Sequence, residues 1–174
     1  GSAWLLANRR LLKYGRNGVL KQEIDLRSLS GSLDEPKRLF LNAHDTSLWV
    51  VGERVVLRLD ASGKLVGETT LSESVRSAAL GLDDHLWIVT EKQLVSLSPD
   101  LVVQSSENLR SILSSPRHVA IDGLGNRLWL AGHGELLIFD TANLAKPLWR
   151  IALSAALGLQ GNAGEIDALA VHPV

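Results

Sequence analysis

The 174-residue sequence contains neither cysteine nor methionine. The lack of cysteine excludes disulfide-stapled folds, thiol catalysis and cysteine-ligated zinc. An excess of charge of one sign is also missing, because 18 Lys and Arg residues are balanced by 19 Asp and Glu residues. The resulting net charge of −1 removes the usual electrostatic argument for binding to nucleic acid or to a membrane surface. We therefore expect no nucleic acid and no membrane among the partners.

Long apolar runs and catalytic motifs are absent as well. No stretch approaches the ~20 continuous apolar residues of a membrane-spanning helix. Neither a Gly-x-Ser-x-Gly elbow nor a His-Glu-x-x-His pair occurs, and the glycine-rich segment 158–164 does not join a strand to a helix as a phosphate-binding loop would. The sequence predicts no catalytic residues and no cofactors. Gly1-Ser2 is typical of what remains after a tag is removed, which leaves residues 3–174 as a single domain.

What the sequence does contain is a repeat. Four of the five tryptophans stand in similar short apolar runs, 45, 38 and 42 residues apart: Trp4, Trp49, Trp87 and Trp129. A second apolar column follows with the same three separations: Leu12, Leu57, Val95 and Leu137. Two columns that keep the same irregular spacing indicate four copies of one structural unit.

Each unit divides into four short apolar runs bounded by turn residues, which is typical of strands rather than helices. Four antiparallel strands in about 42 residues are the unit of a β-propeller blade. We therefore predict an all-β fold, a β-propeller of four four-stranded antiparallel blades, with blade units at about 3–41, 42–80, 81–121 and 122–174. The repeated tryptophans are predicted to fill the core between blades.

The two ends of the sequence fit together in this scheme. The chain begins at the second strand of one blade, and Asp167–Val171 matches the innermost strand that this blade lacks. Pairing of this C-terminal strand with the N-terminal blade would close the ring. The alternative is strand exchange between two chains, which would give a homodimer with an eight-bladed ring. Both remain open at this stage.

One segment resembles known repeat families. Residues 118–131 (HVAIDGLGNRLWLA) are similar to the VAVDxxGNLWV core of NHL-type and two-component-regulator-type propeller repeats, and Leu136–Asp140 is similar to their next strand. Similarity at this level extends over all four units, with departures such as Gly81 where Asp122 stands in another unit. The resemblance implies scaffolding and ligand binding more often than any single chemistry.

A charged residue precedes each predicted inner strand. The aligned residues are Lys37, Arg76, Arg117 and Asp167, and Arg38 and His118 are adjacent to two of them. We expect these side chains to meet at one mouth of the channel as a weakly positive ring that holds a carboxylate or phosphate group. The alternative is that Asp167 pairs with an arginine and the other side chains point into water.

The longest loops are predicted to enter the same side as these charges, at 27–36, 105–116 and 154–165. The turns after the tryptophan runs, including Asn8–Arg10, lie there too, and long loops on a rigid scaffold commonly carry binding sites. Within the second loop, Ser105–Leu113 is predicted to form one short capped helical turn.

Acidic residues and histidines in two equivalent turns could ligate a divalent cation: His44-Asp45 and Asp83-Asp84-His85. Turns also favour Asp for its hydrogen bonds to the backbone, and we predict this structural role and no metal.

The sequence thus predicts a non-enzymatic interaction module that binds a protein or a small anionic ligand at the long-loop face. Two alternatives stay open. One is a propeller hydrolase, lactonase or lyase with a metal in the channel, and the other is a structural unit that assembles two chains into one ring.

Overall fold

A computed structural model describes residues 2–122, 126–158 and 166–171. The chain divides into two compact units, Gly1–Ser72 and Glu73–Val174. Each unit contains two antiparallel sheets, and every sheet is built from strands that are consecutive in the sequence.

The first unit holds a three-stranded and a four-stranded sheet. The strands of the first sheet, with the one-turn helix that follows them, are β1 (Ala3–Ala7), β2 (Arg10–Tyr14), β3 (Leu20–Asp25) and α1 (Leu26–Leu29). The second sheet consists of β4 (Arg38–Leu41), β5 (Leu48–Val51), β6 (Val55–Leu59) and β7 (Leu65–Thr70).

The second unit holds two four-stranded sheets. The third sheet consists of β8 (Ser77–Leu80), β9 (Leu86–Val89), β10 (Gln93–Leu97) and β11 (Val103–Asn108). The fourth consists of β12 (His118–Asp122), β13 (Arg127–Ala131), β14 (Glu135–Asp140) and β15 (Trp149–Ala152), followed by the one-turn helix α2 (Leu153–Ala156). Among the described residues, no helix is long and apolar enough to cross a membrane.

These sheets confirm the predicted all-β repeat. In the second, third and fourth sheets, the strand with the repeated tryptophan pairs with the inner strand on one side and with the next hairpin strand on the other. Strands β5 and β9 are buried along their whole length. Their sequences, LWVV and LWIV, are continuous apolar runs because both faces are covered.

Within residues 2–122, 126–158 and 166–171, the first sheet has three strands, whereas four are predicted. The expected fourth strand was Asp167–Val171, but residues 166–171 form no strand. Ala168 and Ala170 are exposed and offer little apolar area, so the segment gains little from packing unless a strand ladder forms. Ring closure through this segment therefore stays a prediction.

The helical turn predicted across 105–113 is wrong in its first half. Strand β11 continues to Asn108, with exposed and half-buried side chains in alternation, as expected of an outer strand. Only the residues after it form a turn, in which the Leu113 N–H donates to the Leu109 carbonyl at 2.9 Å.

Each unit has its own apolar core. In the first unit, apolar residues from both sheets pack together around Leu11, Leu48 and Leu57, each fully buried. In the second unit, Trp87 of β9 packs in one cluster with Leu128 of β13 and its neighbours. Trp49 and Trp87 are 0% and 4% exposed, which agrees with the predicted core role of these two tryptophans.

One hairpin turn carries a strained residue. In the first two sheets, the turn before the outer strand uses Gly18 and Gly63, with φ of 71° and 85°. The third sheet has Leu101 at the equivalent position with a φ of 63°, and its N–H donates to the Ser98 carbonyl as the glycine N–H groups do in their turns. A leucine in this left-handed conformation costs about 1–2 kcal/mol.

Replacing Leu101 with glycine should raise the free energy of unfolding by about 0.5–1 kcal/mol, because relief of this strain exceeds the added freedom of the unfolded chain. Gly18→Leu is the reverse change at a site where an added Cβ meets nothing within 4 Å. It should lower the stability by about 1–2 kcal/mol. Denaturant titration measures both, and a loss of stability in L101G would mean that the leucine side chain contributes more by packing than its backbone costs.

Candidate anion-binding sites

The predicted cations precede their inner strands in equivalent positions. In each case the backbone N–H donates to the carbonyl of the last residue of the tryptophan strand, at 2.7–2.9 Å: Lys37 to Val51, Arg76 to Val89 and Arg117 to Ala131. All three side chains are exposed. The structure thus confirms their equivalence within the repeat.

Two of these cations face a glutamate at the same register. Lys37 Nζ lies 3.8 Å from Glu53, and Arg76 Nη2 lies 3.9 Å from Glu91. All four side chains are at least 42% exposed, so each pair contributes only about 0–1 kcal/mol. Each glutamate offsets the charge of its cation, but these weak, exposed pairs do not fix the position of the cationic side chain.

The remaining predicted residues are more varied. Arg38 is half-buried, and this burial lowers the pKa of its guanidinium. His118 Nε2 lies 2.8 Å from the carbonyl oxygen of Ile166, and Asp167 is exposed. Lys37 and Arg38 belong to the first unit, whereas Arg76, Arg117, His118 and Asp167 belong to the second.

The first unit contains a cavity of about 340 Å³. One of its lining residues, Pro36, directly precedes Lys37 in the sequence. The cavity is lined by Asn8 and Arg9 from the turn after β1, and by Arg27, Glu35 and Pro36 from the segment that precedes β4. The sequence pointed to both segments as part of a binding surface. Repeat alignment does not show that Arg9 and Arg27 share one cavity, because the two lie in different columns, Arg9 in the column of Arg54 and Lys92.

The local backbone explains how the two arginines meet. Asn8 and Arg9 have φ values of 47° and 65°, which turns the chain sharply after β1. The Arg9 carbonyl then accepts from the Leu26 N–H at 2.9 Å, and Asp25 caps α1 by accepting from the Arg27 N–H at 2.9 Å. This fixes the start of the helical turn next to the hairpin.

Neither the Arg9 nor the Arg27 guanidinium forms an ion pair or a side-chain hydrogen bond within the described part of the chain. Glu35 is the one acidic residue among those described around the cavity. Two guanidinium groups against one carboxylate leave a local excess of positive charge. Such groups bind carboxylate or phosphate through paired, charge-assisted hydrogen bonds.

The loop that carries Glu35 and Pro36 is anchored. The Asp34 carboxylate accepts from the backbone N–H groups of Glu53 and Arg54 at 2.6 and 2.8 Å. Gly52 makes this approach possible, because a Cβ there would lie 2.1 Å from Asp34 Oδ1. The wall of the cavity is therefore held against the turn after β5.

The second unit uses a similar anchor. Glu73 accepts from the Thr90 hydroxyl at 2.7 Å and from the Lys92 N–H at 3.2 Å. The hydrogen bond from Thr90 and the charge of Lys92 outweigh burial and lower the pKa of the Glu73 carboxyl. In both units, a carboxylate from the loop before the inner strand thus accepts hydrogen bonds from the turn after the tryptophan strand.

The acidic turns considered as metal ligands have structural contacts. Asp45 accepts from the Ser47 N–H at 2.8 Å, and Asp83 accepts from the His85 N–H at 3.3 Å. Among the described residues, no group of three or more His, Cys, Asp and Glu side chains is placed to hold a metal ion.

Comparison with solved structures defines the fold class as the β-propeller. The chain is similar to virginiamycin B lyase from Staphylococcus aureus, with 15% identity, a TM-score of 0.66, and coverage of 85% of this chain and 52% of that one. A protein of unknown function from Bacteroides caccae is 14% identical, with a TM-score of 0.58 and coverage of 87% and 57%. BBS1N, in complex with ARL6DN, is 12% identical, with a TM-score of 0.66 and coverage of 83% and 47%.

These identities show the fold alone. The chain spans about half the length of each of these three structures. No protein-family model matches the sequence, and no curated protein matches it. The resemblance to NHL-type repeats thus remains a sequence-based expectation, while the propeller fold that it implied is confirmed.

The contact between His118 and Ile166 can be tested by removing it. Because a carbonyl oxygen only accepts, the His118 Nε2 atom donates this hydrogen bond. His118→Ala should release the segment 166–171 and speed its cleavage by elastase about five-fold, as expected for a loss of about 1 kcal/mol. His118→Gln keeps a side-chain donor and should stay closer to the unmodified protein; equal cleavage of all three would contradict an anchoring role.

Proposed function

We propose that this chain is a non-enzymatic β-propeller interaction module that binds an anionic group of a protein partner or a small ligand. The observation that carries the proposal is the cavity of about 340 Å³ in which Arg9 and Arg27 lie without an ion-pair partner among the described residues. The proposal keeps the sequence-based expectation of anion binding, but it assigns the main contacts to Arg9 and Arg27 rather than to the residues that precede the inner strands.

The chemistry of the cavity fits a carboxylate or phosphate. Two guanidinium forks offer several N–H donors in fixed directions, and such charge-assisted hydrogen bonds are about twice as strong as neutral ones. Lys37 follows Pro36 directly and adds a third cation near the cavity. Anchoring of the wall by Asp34 reduces the ordering that binding requires.

Arg76, Arg117 and His118 remain candidates for a separate anion contact within the second unit. One structural neighbour, BBS1N, was crystallised in complex with ARL6DN, so another protein of this fold takes part in a complex between proteins. This precedent agrees with an interaction module.

The proposal is tested by titrating the protein with inorganic phosphate and with citrate while recording amide chemical shifts. We expect shifts around Arg9 and Arg27, and affinity about ten-fold weaker in Arg9→Gln and in Arg27→Gln. Arg16→Gln removes the same charge from an exposed hairpin outside the cavity and should leave the affinity unchanged. Equal loss in all three variants would reduce the effect to general electrostatics, and no loss in any would overturn the proposal.

A second candidate function is assembly through strand exchange, and the free edge of β1 favours it. Among the described residues, β1 pairs with β2 alone, while the other three sheets have an additional inner strand. A strand formed by 167–171 of a second copy would complete the sheet in the manner of β-strand addition.

Light scattering distinguishes these cases, because exchange between chains doubles the mass. In such a dimer, Leu169→Pro should restore the monomer, since proline removes a donor from the strand ladder. A monomer in both forms would exclude assembly by strand exchange.

The enzyme alternative draws on the name of the first neighbour, a lyase. It requires acidic groups or histidines on the inner strands. β4 and β8, with the sequences RLFL and SAAL, supply none, and β12 supplies His118 and Asp122 at its two ends. Stoichiometric metal in the purified protein would favour this alternative over a binding module.

A further inference from the structure

The residue opposite each repeated tryptophan differs from sheet to sheet. It stands nine positions after the tryptophan and pairs with it in register, as Lys13 opposite Trp4, Arg58 opposite Trp49, Ser96 opposite Trp87 and Ile138 opposite Trp129. In the first two sheets this residue places a cation over the indole ring, at 4.9 Å for Lys13 Nζ and 5.8 Å for Arg58 Cζ.

The second sheet completes this arrangement with an acid. Arg58 Nη2 lies 2.6 Å from Oδ2 of Asp45, which stands four residues before Trp49. Burial would raise the pKa of the Asp45 carboxyl, but hydrogen bonds from Ser47 and Arg58 outweigh it and lower that pKa. A carboxylate, a guanidinium and an indole thus form one stack.

The third sheet keeps the acid and the indole but has no cation between them. Asp83 stands four residues before Trp87, as Asp45 does before Trp49, and its carboxylate accepts from the backbone N–H two residues later in the same way. At the position of Arg58 stands Ser96, whose hydroxyl lies 2.8 Å from that of Ser105. Serine is too short to reach Asp83 from this position, as Arg58 reaches Asp45 in the second sheet.

An open groove of about 400 Å³ lies beside these residues. Its lining includes Asp83, Trp87 and Ser96 from the third sheet, and Asn126 and Thr141 from the turns of the fourth. Of the described residues around it, Asp83 is the one carboxylate, and none is Lys or Arg. The Asp83 side chain is 49% exposed, so it can still accept hydrogen bonds.

We propose that this groove binds the guanidinium group of an arginine side chain supplied by a protein partner, and that this group pairs with Asp83 as Arg58 pairs with Asp45 in the second sheet. Asp83 pairs with the guanidinium, and the side-chain oxygens of Asn126 and Thr141 accept from its remaining N–H groups. Trp87 is 4% exposed, so the cation contacts the rim of the indole and gains less from it than from the carboxylate. This site is independent of the anion-binding cavity and selects the opposite charge.

His85 is the other ionisable residue in the groove. Its Nδ1 lies 3.3 Å from Asp83 Oδ2, and its side chain is 31% exposed. A guanidinium that pairs with this oxygen displaces the imidazole from it. His85→Ala should therefore leave arginine binding intact or strengthen it.

The probe is blocked arginine (N-acetyl-arginine N-methylamide), and its control is the citrulline analogue, which has the same shape without the charge. We expect blocked arginine to shift the amide signals of residues 83–87 and 126 and the Trp87 indole signal, and the citrulline analogue to shift none of them. Asp83→Asn should weaken binding about ten-fold or more. Asp84→Asn removes the same charge at the next residue, outside the groove lining, and should bind normally.

Two further variants test the replacement of Arg58 directly. Ser96→Arg should fill the groove from within and abolish binding of the probe, with the thermal unfolding midpoint reporting that the variant remains folded. Arg58→Ser should create a second site beside Asp45, seen as new shifts around Trp49. Equal binding of the citrulline analogue, or unchanged affinity in both Asp83→Asn and Ser96→Arg, would overturn the proposal.

Discussion

The burial of the tryptophan strand is the constraint on which the second and third sheets depend. Every residue of β5 and of β9 is buried, and truncation of a core tryptophan such as Trp49 typically costs about 3–5 kcal/mol. A strand covered on both faces has no room for polar chemistry. Functional groups are therefore confined to the turns and loops at the strand ends and to the strands farther out.

This confinement explains where variation is found. The column opposite the tryptophans holds two cations, a serine and an isoleucine in otherwise similar sheets. Lys13 and Arg58 cover their indoles, and the buried Ile138 packs at the equivalent place in the fourth sheet. Only Ser96 is too short to fill this place. A repeat can thus acquire a site by one change of side-chain length, while its core stays the same.

Most of the strand pattern could be predicted from the sequence, because apolar runs and turn residues alternate with a fixed spacing. The strands at the inner and outer edges of the sheets could not be predicted in the same way. A strand such as Asp167–Val171 resembles its equivalents, but its formation depends on a partner strand rather than on its own residues. The polar residues 105–108 of β11 contain no apolar run, so their sequence favours a capped helical turn over a strand.

The candidate sites were less accessible to sequence reasoning for a related reason. Repeat alignment finds residues that occupy the same column, such as Lys37, Arg76 and Arg117, and these share their backbone contacts. Arg9 and Arg27 occupy different columns, and they line one cavity where the Arg9 carbonyl accepts from the Leu26 N–H and sets the start of α1 beside the hairpin. The groove beside Asp83 likewise depends on the short side chain of Ser96, which stands where the second sheet has Arg58. This equivalence rests on the strand register, which pairs each of the two residues with its tryptophan.

The net charge of −1 conceals local differences in how the cations are paired. Lys37 and Arg76 are each faced by a glutamate, so their charges are largely cancelled, whereas Arg9 and Arg27 are opposed within their cavity by Glu35 alone among the described residues. An anion that recruits Lys37 must displace Glu53, at a cost of about 0–1 kcal/mol for such an exposed pair. Contact with Arg9 or Arg27 breaks no pair of this kind in the part of the chain that the structure describes. The strongest anion binding is therefore expected at the two arginines, with Lys37 joining them at little cost.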